Sequence, residues 1–385
     1  MKSMYDVNLN EKTLLVRIDL NTTIKNGKPL INERFVEHSK TIKELIKMNA
    51  KIILIAHQGR PGEKDFISLH HHAKVLSKLV GRKIKFIPGL YEKKVVESIK
   101  FMKPKDVILL ENVRFYDDEF SKNPRRTKFV KTLQPLIDYF ILDAFSVAHR
   151  AQTSVIGFHP AIAGRVLLNE LEGIEKIKHS KHPYMLIVGG GKIKEPLNLI
   201  HSLLKNGTAD LILTGGVTAL ILMKSEGFDI DVEAKDDLIN KSLADKLMSR
   251  YEDKIVLPLD LIDKNGESHP VYDLPHTKFY DIGNDTIKLY KEKIKSAKTI
   301  LLSKPLGVYE KKKFENGTKK VFRAVSNCRA KKFAGGGDTV TALKKFKISL
   351  KKFDYVSLAG GAFLDFISGK KLPGLKVIKY SNCKD

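Results

Sequence analysis

The chain has 385 residues, 42% of them apolar and 29% charged, a globular balance that excludes disordered, collagen-like and silk-like classes. Lys and Arg number 69 against 44 Asp and Glu, and the resulting +25 attracts anions, from nucleic acid to phosphorylated metabolites, unless it is only a solvated lysine surface. Two cysteines, Cys328 and Cys383, form no disulfide framework and no zinc spacing, which points to a reducing, cytoplasmic compartment; no apolar run reaches the roughly 20 residues of a membrane span, and MKSMYDVNLNEK lacks a signal-peptide core.

Short apolar runs alternate with helical patterns along the whole chain. The first half carries LLVRIDL (14–20), KIILIA (51–56), DVILL (106–110) and YFILDA (139–144). The second half carries YMLIV (184–188), DLILT (210–214), KIVLPL (254–259), TILL (299–302) and YVSL (355–358). Continuous rather than alternating runs read as strands buried on both faces. Between them, Phe35, Ile42, Leu45 and Ile46 share one helical face, as do Leu69, Ala73, Leu76 and Val80. Strand–helix alternation predicts an α/β fold of two Rossmann-like, doubly wound parallel-sheet domains. The stretch RVLLNELEGIEKIKHSKHP (165–183) predicts a helix that joins them as a hinge, with the boundary at 170/171.

Ligands of open parallel sheets bind beyond the carboxyl ends of the strands. In the first half those ends are polar and basic. Asp19 and Asn21 follow the first run and Arg34 lies in the next loop; AHQGRPG supplies His57 and Arg60, ENVRF supplies Arg114, and FSVAHRAQTS supplies His149 and Arg150. The planar fork of arginine suits phosphate and carboxylate, so a small molecule carrying both is the expected guest. In the second half the ends are glycine-rich: GGGK (189–192), Gly215-Gly216, GGGDT (335–339) and GGA (360–362). Glycine lets backbone N–H groups approach phosphates closely, and a following helix adds its positive end.

Two familiar phosphate motifs fail. Leu186 and Ile193 stand where a Walker pattern around Gly191-Lys192 needs glycine and Ser/Thr, and a G-x-G-x-x-G begun at Gly189 ends on Lys194. Lys192 is placed to meet phosphate oxygens. Asp338, at an expected helix start, suits either an N-cap or a Mg²⁺ that bridges nucleotide phosphates. One domain gripping an anionic acceptor and another holding a nucleotide, facing each other across a cleft, would perform phosphoryl transfer on closure.

The motifs RIDLN (17–21), NER (32–34), AHQGRP (56–61), LLENVRF (109–115), DAFSVAHRAQTS (143–154), GGGKIKE (189–195), DIGNDTI (281–287), PLGVYE (305–310), GGGDT (335–339) and SGKKLPG (368–374) stand in one order. In that order they resemble the phosphoglycerate kinase family, in an archaeal form, over nearly the whole chain. The resemblance implies reversible, Mg²⁺-dependent transfer between 1,3-bisphosphoglycerate with ADP and 3-phosphoglycerate with ATP. It implies that Asp19, Leu20, Asn21, Arg34, His57, Gln58, Gly59, Arg60, Arg114 and Arg150 hold the phosphoglycerate, with Arg34 and Lys192 acting on the phosphoryl group. Gly190, Lys192, Gly215, Gly216, Glu310, Gly335, Gly336, Gly337, Asp338 and Thr339 would form the nucleotide site, with Asp338 on the metal. The last residues of such chains pack on the N-terminal domain, which gives domains of 1–170 with 370–385, and of 171–369. Small-molecule substrates and a usually monomeric chain, with some dimers among archaeal members, complete the implied picture; nucleic acid is not the expected partner, because the lysine runs show no recognised binding motif or aromatic platform.

The departures from the family pattern lie on the nucleotide side. Pro196 replaces a second lysine, Ser303 an asparagine and Lys304 a glycine, and Leu358-Ala359 replace Thr-Gly. A methyl group at 359 would crowd a moving phosphoryl group, so the alternative is a relative that binds its ligands without efficient turnover. The run His70-His71-His72 does not bring its rings to one helical face and is not read as a metal site. The lysine runs at 311–313, 319–320, 344–347 and 351–352 are read as solvated faces.

Overall fold

The computed structural model describes residues 1–232 and 237–380. The chain forms two compact units, Met1–Glu172 with the segment from Lys371, and Gly173–Lys370. Residues 381–385 of the expected returning segment, with Cys383, lie outside the described residues.

The first unit carries β1 (Thr13–Arg17), β2 (Ile24–Lys25), β3 (Lys28–Pro29), β4 (Lys51–Ile55), β5 (Lys85–Ile87), β6 (Val107–Leu110), β7 (Tyr139–Leu142) and β8 (Ala161–Ala163). Six of these make one sheet in the order β5-β6-β4-β1-β7-β8, parallel throughout, while β2 and β3 pair antiparallel. The central strands are buried almost end to end, which is why their sequences are continuous apolar runs. β5 and β8 are three residues each, too short for a pattern to declare them. The helix Glu33–Lys47 starts where the Asn32 side chain accepts the Phe35 N–H, and it buries Phe35, Ile42 and Leu45. Helix His70–Val80 ends at Gly81, whose φ of +76° only glycine adopts freely. His72 lies in its buried face, stacked on Phe35 at 5.8 Å. The helix Pro373–Tyr380 belongs to this unit, and the Gly374 N–H donates to Ala148 O at 2.9 Å.

Helix Arg165–Lys178 carries the chain from one unit into the other, with the boundary falling between Glu172 and Gly173. The second unit holds β9 (Tyr184–Val188), β10 (Leu211–Thr214), β11 (Ile255–Val256), β12 (Asp260–Asp263), β13 (Ser268–Pro270), β14 (Phe279–Ile282), β15 (Thr299–Ser303), β16 (Lys331–Gly335) and β17 (Tyr355–Ser357). Its parallel sheet runs β11-β10-β9-β15-β16-β17, beside an antiparallel sheet β13-β12-β14. The expected strand 254–259 shrinks to two residues, and Pro258, which has no N–H to donate, follows shortly after. The antiparallel sheet escapes a reading tuned to parallel strands, although Asn265-Gly266 between β12 and β13 is a hairpin signal.

The register decides what meets what. In the second unit Val188 pairs with both Thr214 and Ser303, Ser303 with Gly335, and Gly335 with Ser357. Five strands therefore end on one row, and the glycine-rich turns that follow start level. In the first unit Arg17 pairs with Ile55 and Leu142 in the same way. No helix among the described residues is long and apolar enough to cross a membrane.

Tyr290 joins the frame to the short β11. It is fully buried, and its hydroxyl donates to Thr214 O at 2.6 Å, with Val256 O at 3.2 Å. Tyr290→Phe should cost about 1–2 kcal/mol, because it strands a buried carbonyl, and urea unfolding followed by circular dichroism reads the loss.

Candidate functional site

In the first unit the strand ends converge on a group of arginines. Arg17, the last residue of β1, is 1% exposed. Its Nε donates to Ser154 Oγ at 3.0 Å and its Nη2 lies 3.0 Å from His57 Nδ1. A guanidinium only donates, so His57 Nδ1 accepts and the ring proton sits on Nε2. Burial and then the Arg17 charge press the His57 pKa well below its ordinary value, which keeps the ring neutral. Glu119, also buried, accepts the Ser154 N–H and hydroxyl at 2.9 and 2.7 Å. Burial pushes the Glu119 carboxyl up, against the Arg17 charge.

Asp19 stands at the centre of the next layer. Its Oδ2 is 3.0 Å from Arg34 Nη1 and accepts from the Ser146 hydroxyl, and its Oδ1 accepts the Asn21 N–H at 3.0 Å. Burial pushes this carboxyl up, but the Arg34 guanidinium and these hydrogen bonds outweigh burial and hold it below the usual range. Arg34 also donates to Asn21 O at 3.2 Å, so its fork is braced within the site. Asn21 Oδ1 in turn accepts the Gly59 N–H at 2.9 Å. Gly59 has φ +67°, and a Cβ there would lie 2.5 Å from Asp65 O, so the turn demands glycine.

Three of the expected arginines share a cavity. Arg60, Arg114 and Arg150, with Pro61, Phe120 and Gln152, line a space of about 250 Å³ that has no carboxylate in its wall. Arg114 is 8% exposed and donates to Gly59 O; burial, then Arg150 and Arg17, lower its pKa to about 10. Burial lowers that of Arg150 as well, with Arg60 and Arg34 adding to it against Asp19. Like charges gathered around an acid-free pocket are an arrangement that an anion would neutralise.

Two expected ligand residues prove to be structural in their side chains. Leu20 is fully buried in the apolar core and can offer only its backbone. Gln58 is fully buried too; its Oε1 accepts the Thr22 N–H at 3.0 Å and its Nε2 donates to Thr22 O at 2.9 Å, clamping that loop.

The second unit holds a separate cavity of about 340 Å³. Gly190, Gly191 and Gly216 form one side, Leu220, Val232, Phe279 and Val308 an apolar side, and Glu310 and Asp338 add carboxylates. The glycines have distinct duties. Gly190 and Gly216, at φ +99° and +54°, take left-handed turns, and the Gly216 N–H donates to Leu306 O at 2.7 Å. Gly215 and Gly335 are instead required by packing, since a Cβ would come within 2.7 Å of Leu306 Cδ2 and 2.2 Å of Phe363 Cε1. Gly336 is the N-cap of helix Gly337–Lys345 and Gly337 its first residue, which places Asp338 in the first turn and not at the cap. The Thr339 hydroxyl is buried, accepting the Lys304 N–H and donating to Gly335 O, both at 2.8 Å. Lys192 is 68% exposed beside the glycine turn.

Asp338 is exposed, and among the described residues it makes no hydrogen bond or ion pair. One free carboxylate beside glycine N–H groups fits a Mg²⁺ ion that takes most of its ligands from phosphates and water. Ala359 is 1% exposed, so its methyl group lies in the interior and does not crowd the cavity. Lys304 keeps a glycine-like φ of +72°.

The sequence does not mark out the site partners Arg17, Ser146, Ser154 and Glu119, or the apolar wall from β14 and the helix Gly216–Ser225. Arg17, Ser146 and Ser154 lie inside the family-like motifs, but nothing in a bare string separates a buried arginine from an exposed one.

A doubly wound α/β chain with an arginine pocket in one unit and a glycine-turn cavity in the other is of the class that handles phosphorylated small molecules. The phosphoglycerate kinase family profile matches residues 4–370. The phosphoglycerate kinase of Methanothermus fervidus is 38% identical over 98% of this chain and 96% of its own, and that of Thermoplasma acidophilum 36% over 98% and 97%. The crystal structure of phosphoglycerate kinase from Pyrococcus horikoshii OT3 superposes with a TM-score of 0.90 and 31% identity, covering all of both chains. That of the Coxiella burnetii enzyme gives 0.81 and 32% over 98% of each. The chain belongs to the phosphoglycerate kinase family.

His72 supports Gln58, with Nε2 3.2 Å from Gln58 Oε1, and burial lowers its pKa to about 4. The unfolded ring gains its proton below about pH 6.5 while the folded one resists, so stability falls with pH from 6.5 toward 4. Between pH 7 and 5 the wild type should lose about 2 kcal/mol more than His72→Gln in urea unfolding.

Proposed function

We propose that this protein catalyses the reversible, Mg²⁺-dependent transfer of a phosphoryl group between ATP and 3-phosphoglycerate. In the direction of ATP use, a carboxylate oxygen of 3-phosphoglycerate attacks the terminal phosphorus. The bond to the bridging oxygen of ADP breaks as the acyl phosphate bond of 1,3-bisphosphoglycerate forms. The observation that carries the residue assignment is the cavity of Arg60, Arg114 and Arg150, which gathers positive charge around an acid-free space.

In this reading the arginines hold the phosphate of 3-phosphoglycerate. Asp19, Asn21 and Arg34 orient its carboxylate end, with His57 Nε2–H as a neutral donor. The nucleotide base and ribose lie on the apolar wall near Glu310, and the phosphates approach Gly190, Gly216 and the Gly336–Thr339 turn. Mg²⁺, held at Asp338, would supply charge neutralisation on the nucleotide phosphates when bound. Lys192 meets the phosphoryl group as it moves, where a positive charge lowers the barrier more than it tightens ground-state binding. A reaction of soluble phosphorylated metabolites is proposed to take place in the cytoplasm.

The test is a coupled assay for ATP-dependent consumption of 3-phosphoglycerate; folded protein without turnover would overturn the reading. Lys192→Ala should lower kcat by about 100-fold while the KM for 3-phosphoglycerate moves less than about threefold, and equal losses would remove its assigned role. Arg60→Ala should raise the KM for 3-phosphoglycerate by about 10- to 100-fold and leave that for ATP within about twofold, since it deletes one charged hydrogen bond to the acceptor alone.

A further inference from the structure

Lys304 sits in the turn after β15 with φ +72°, a conformation in which the Cβ of an L-residue is crowded. A lysine kept at such a position directs attention to its side chain. That side chain is only 12% exposed. Its stem lies over Gly190: a Cβ built on Gly190 would come 2.7 Å from Lys304 Cδ and 3.2 Å from its Cβ. The missing side chain of Gly190 is therefore the space that the lysine stem occupies. The Lys304 N–H donates to Thr339 Oγ1 at 2.8 Å, which fastens the turn to the start of helix Gly337–Lys345.

The ammonium of Lys304 ends 3.2 Å from Glu195 Oε2. The other oxygen of that carboxylate, Oε1, is 3.7 Å from the ammonium of Lys192. One carboxylate is thus divided between two cations, close to the half-buried Lys304 and loosely to the exposed Lys192. Burial pushes the Glu195 carboxyl up, but Lys304, by charge and hydrogen bond, and Lys192 outweigh it and hold it ionised below the usual range.

We propose that Lys304 is a positioning residue that occupies Glu195 and so leaves Lys192 loosely tethered and free to turn to a phosphoryl group. The inference rests on the role given to Lys192 above. Without Lys304 the whole carboxylate is available to Lys192 alone, and an arriving phosphate must break a closer ion pair. With Lys304 in place, Glu195 keeps a partner when Lys192 departs, so no charge is left unpaired.

The experiment compares wild type, Lys304→Gly and Lys304→Gly/Glu195→Gln. Lys304→Gly should lower kcat by about tenfold with the KM for 3-phosphoglycerate within about twofold, and the double variant should recover to within about threefold of wild type, a non-additive cycle. The melting temperature of Lys304→Gly should equal or exceed that of wild type, since glycine adopts this φ freely; the loss of rate is then not a loss of fold. Calorimetric titration with a non-hydrolysable ATP analogue should rank the three proteins in the same order without any need for turnover. A Lys304→Gly protein as fast as wild type, or a double variant no faster than Lys304→Gly, would overturn the tether. Absence of turnover in the wild type would instead overturn the reaction, with the titration still deciding the tether.

Discussion

In each parallel sheet the hydrogen-bond ladder brings neighbouring strands to an end on a common row, and everything functional in the two units depends on that levelness. Thr214, Val188, Ser303, Gly335 and Ser357 are register partners in sequence across one sheet. A slip of one residue in any of them would turn every side chain of that strand to the opposite face. It would also withdraw the following turn from the row. Gly190 meets Gly216 on one side and Lys304 on the other because β9, β10 and β15 stop together. The same holds for Arg17, whose partners Ile55 and Leu142 fix the starts of the His57 and Asp143 segments.

In the proposed reading the two units bind anions by different physics. The second would use backbone: the first N–H groups of helix Gly337–Lys345, which carry no net charge and need no counter-ion. The first gathers full charges, and a charge that is buried must be paired. Arg17 is the case in point. Buried at the end of β1, it is balanced by Glu119 through Ser154 and lies against His57, so the ring nearest the site is kept neutral. Removing one partner of such a network leaves an uncompensated buried charge, which costs far more than the intact network contributes. The arginines beyond it, Arg60, Arg114 and Arg150, have no carboxylate in their pocket, and an entering anion would relieve that repulsion.

How much of this the sequence disclosed follows from what each signal depends on. The parallel strands were legible because burial on both faces forces continuous apolar runs. β5 and β8 were not, because three residues carry no period. The arginine positions were legible as residues that follow strands, and position after a strand is enough to place a backbone. It does not say which way a side chain turns or what it meets, and so Leu20, in the apolar core, and Gln58, whose amide clamps Thr22, read the same as the polar site residues beside them. The glycines show the same limit. A run such as GGGDT marks a turn, but Gly335 answers to the ring of Phe363 and Gly336 to its φ of +96°, and only coordinates separate packing from backbone freedom.

Lys304 extends that distinction to a case where the pattern breaks. A sequence in which lysine replaces an expected glycine suggests that the turn has changed, yet the backbone has kept the left-handed conformation and the side chain has accepted the strain. The stem is accommodated because the neighbouring turn supplies its own glycine, Gly190, directly beneath it. Two positions are therefore coupled: a side chain at 190 and a lysine at 304 exclude each other by contact. The lysine adds a charge that a glycine lacks, and the carboxylate it meets, Glu195, is the one that also meets Lys192. Strain in the backbone at 304, the space left by Gly190 and a carboxylate shared by two lysines are three separate observations, and the proposed tether joins them in one arrangement.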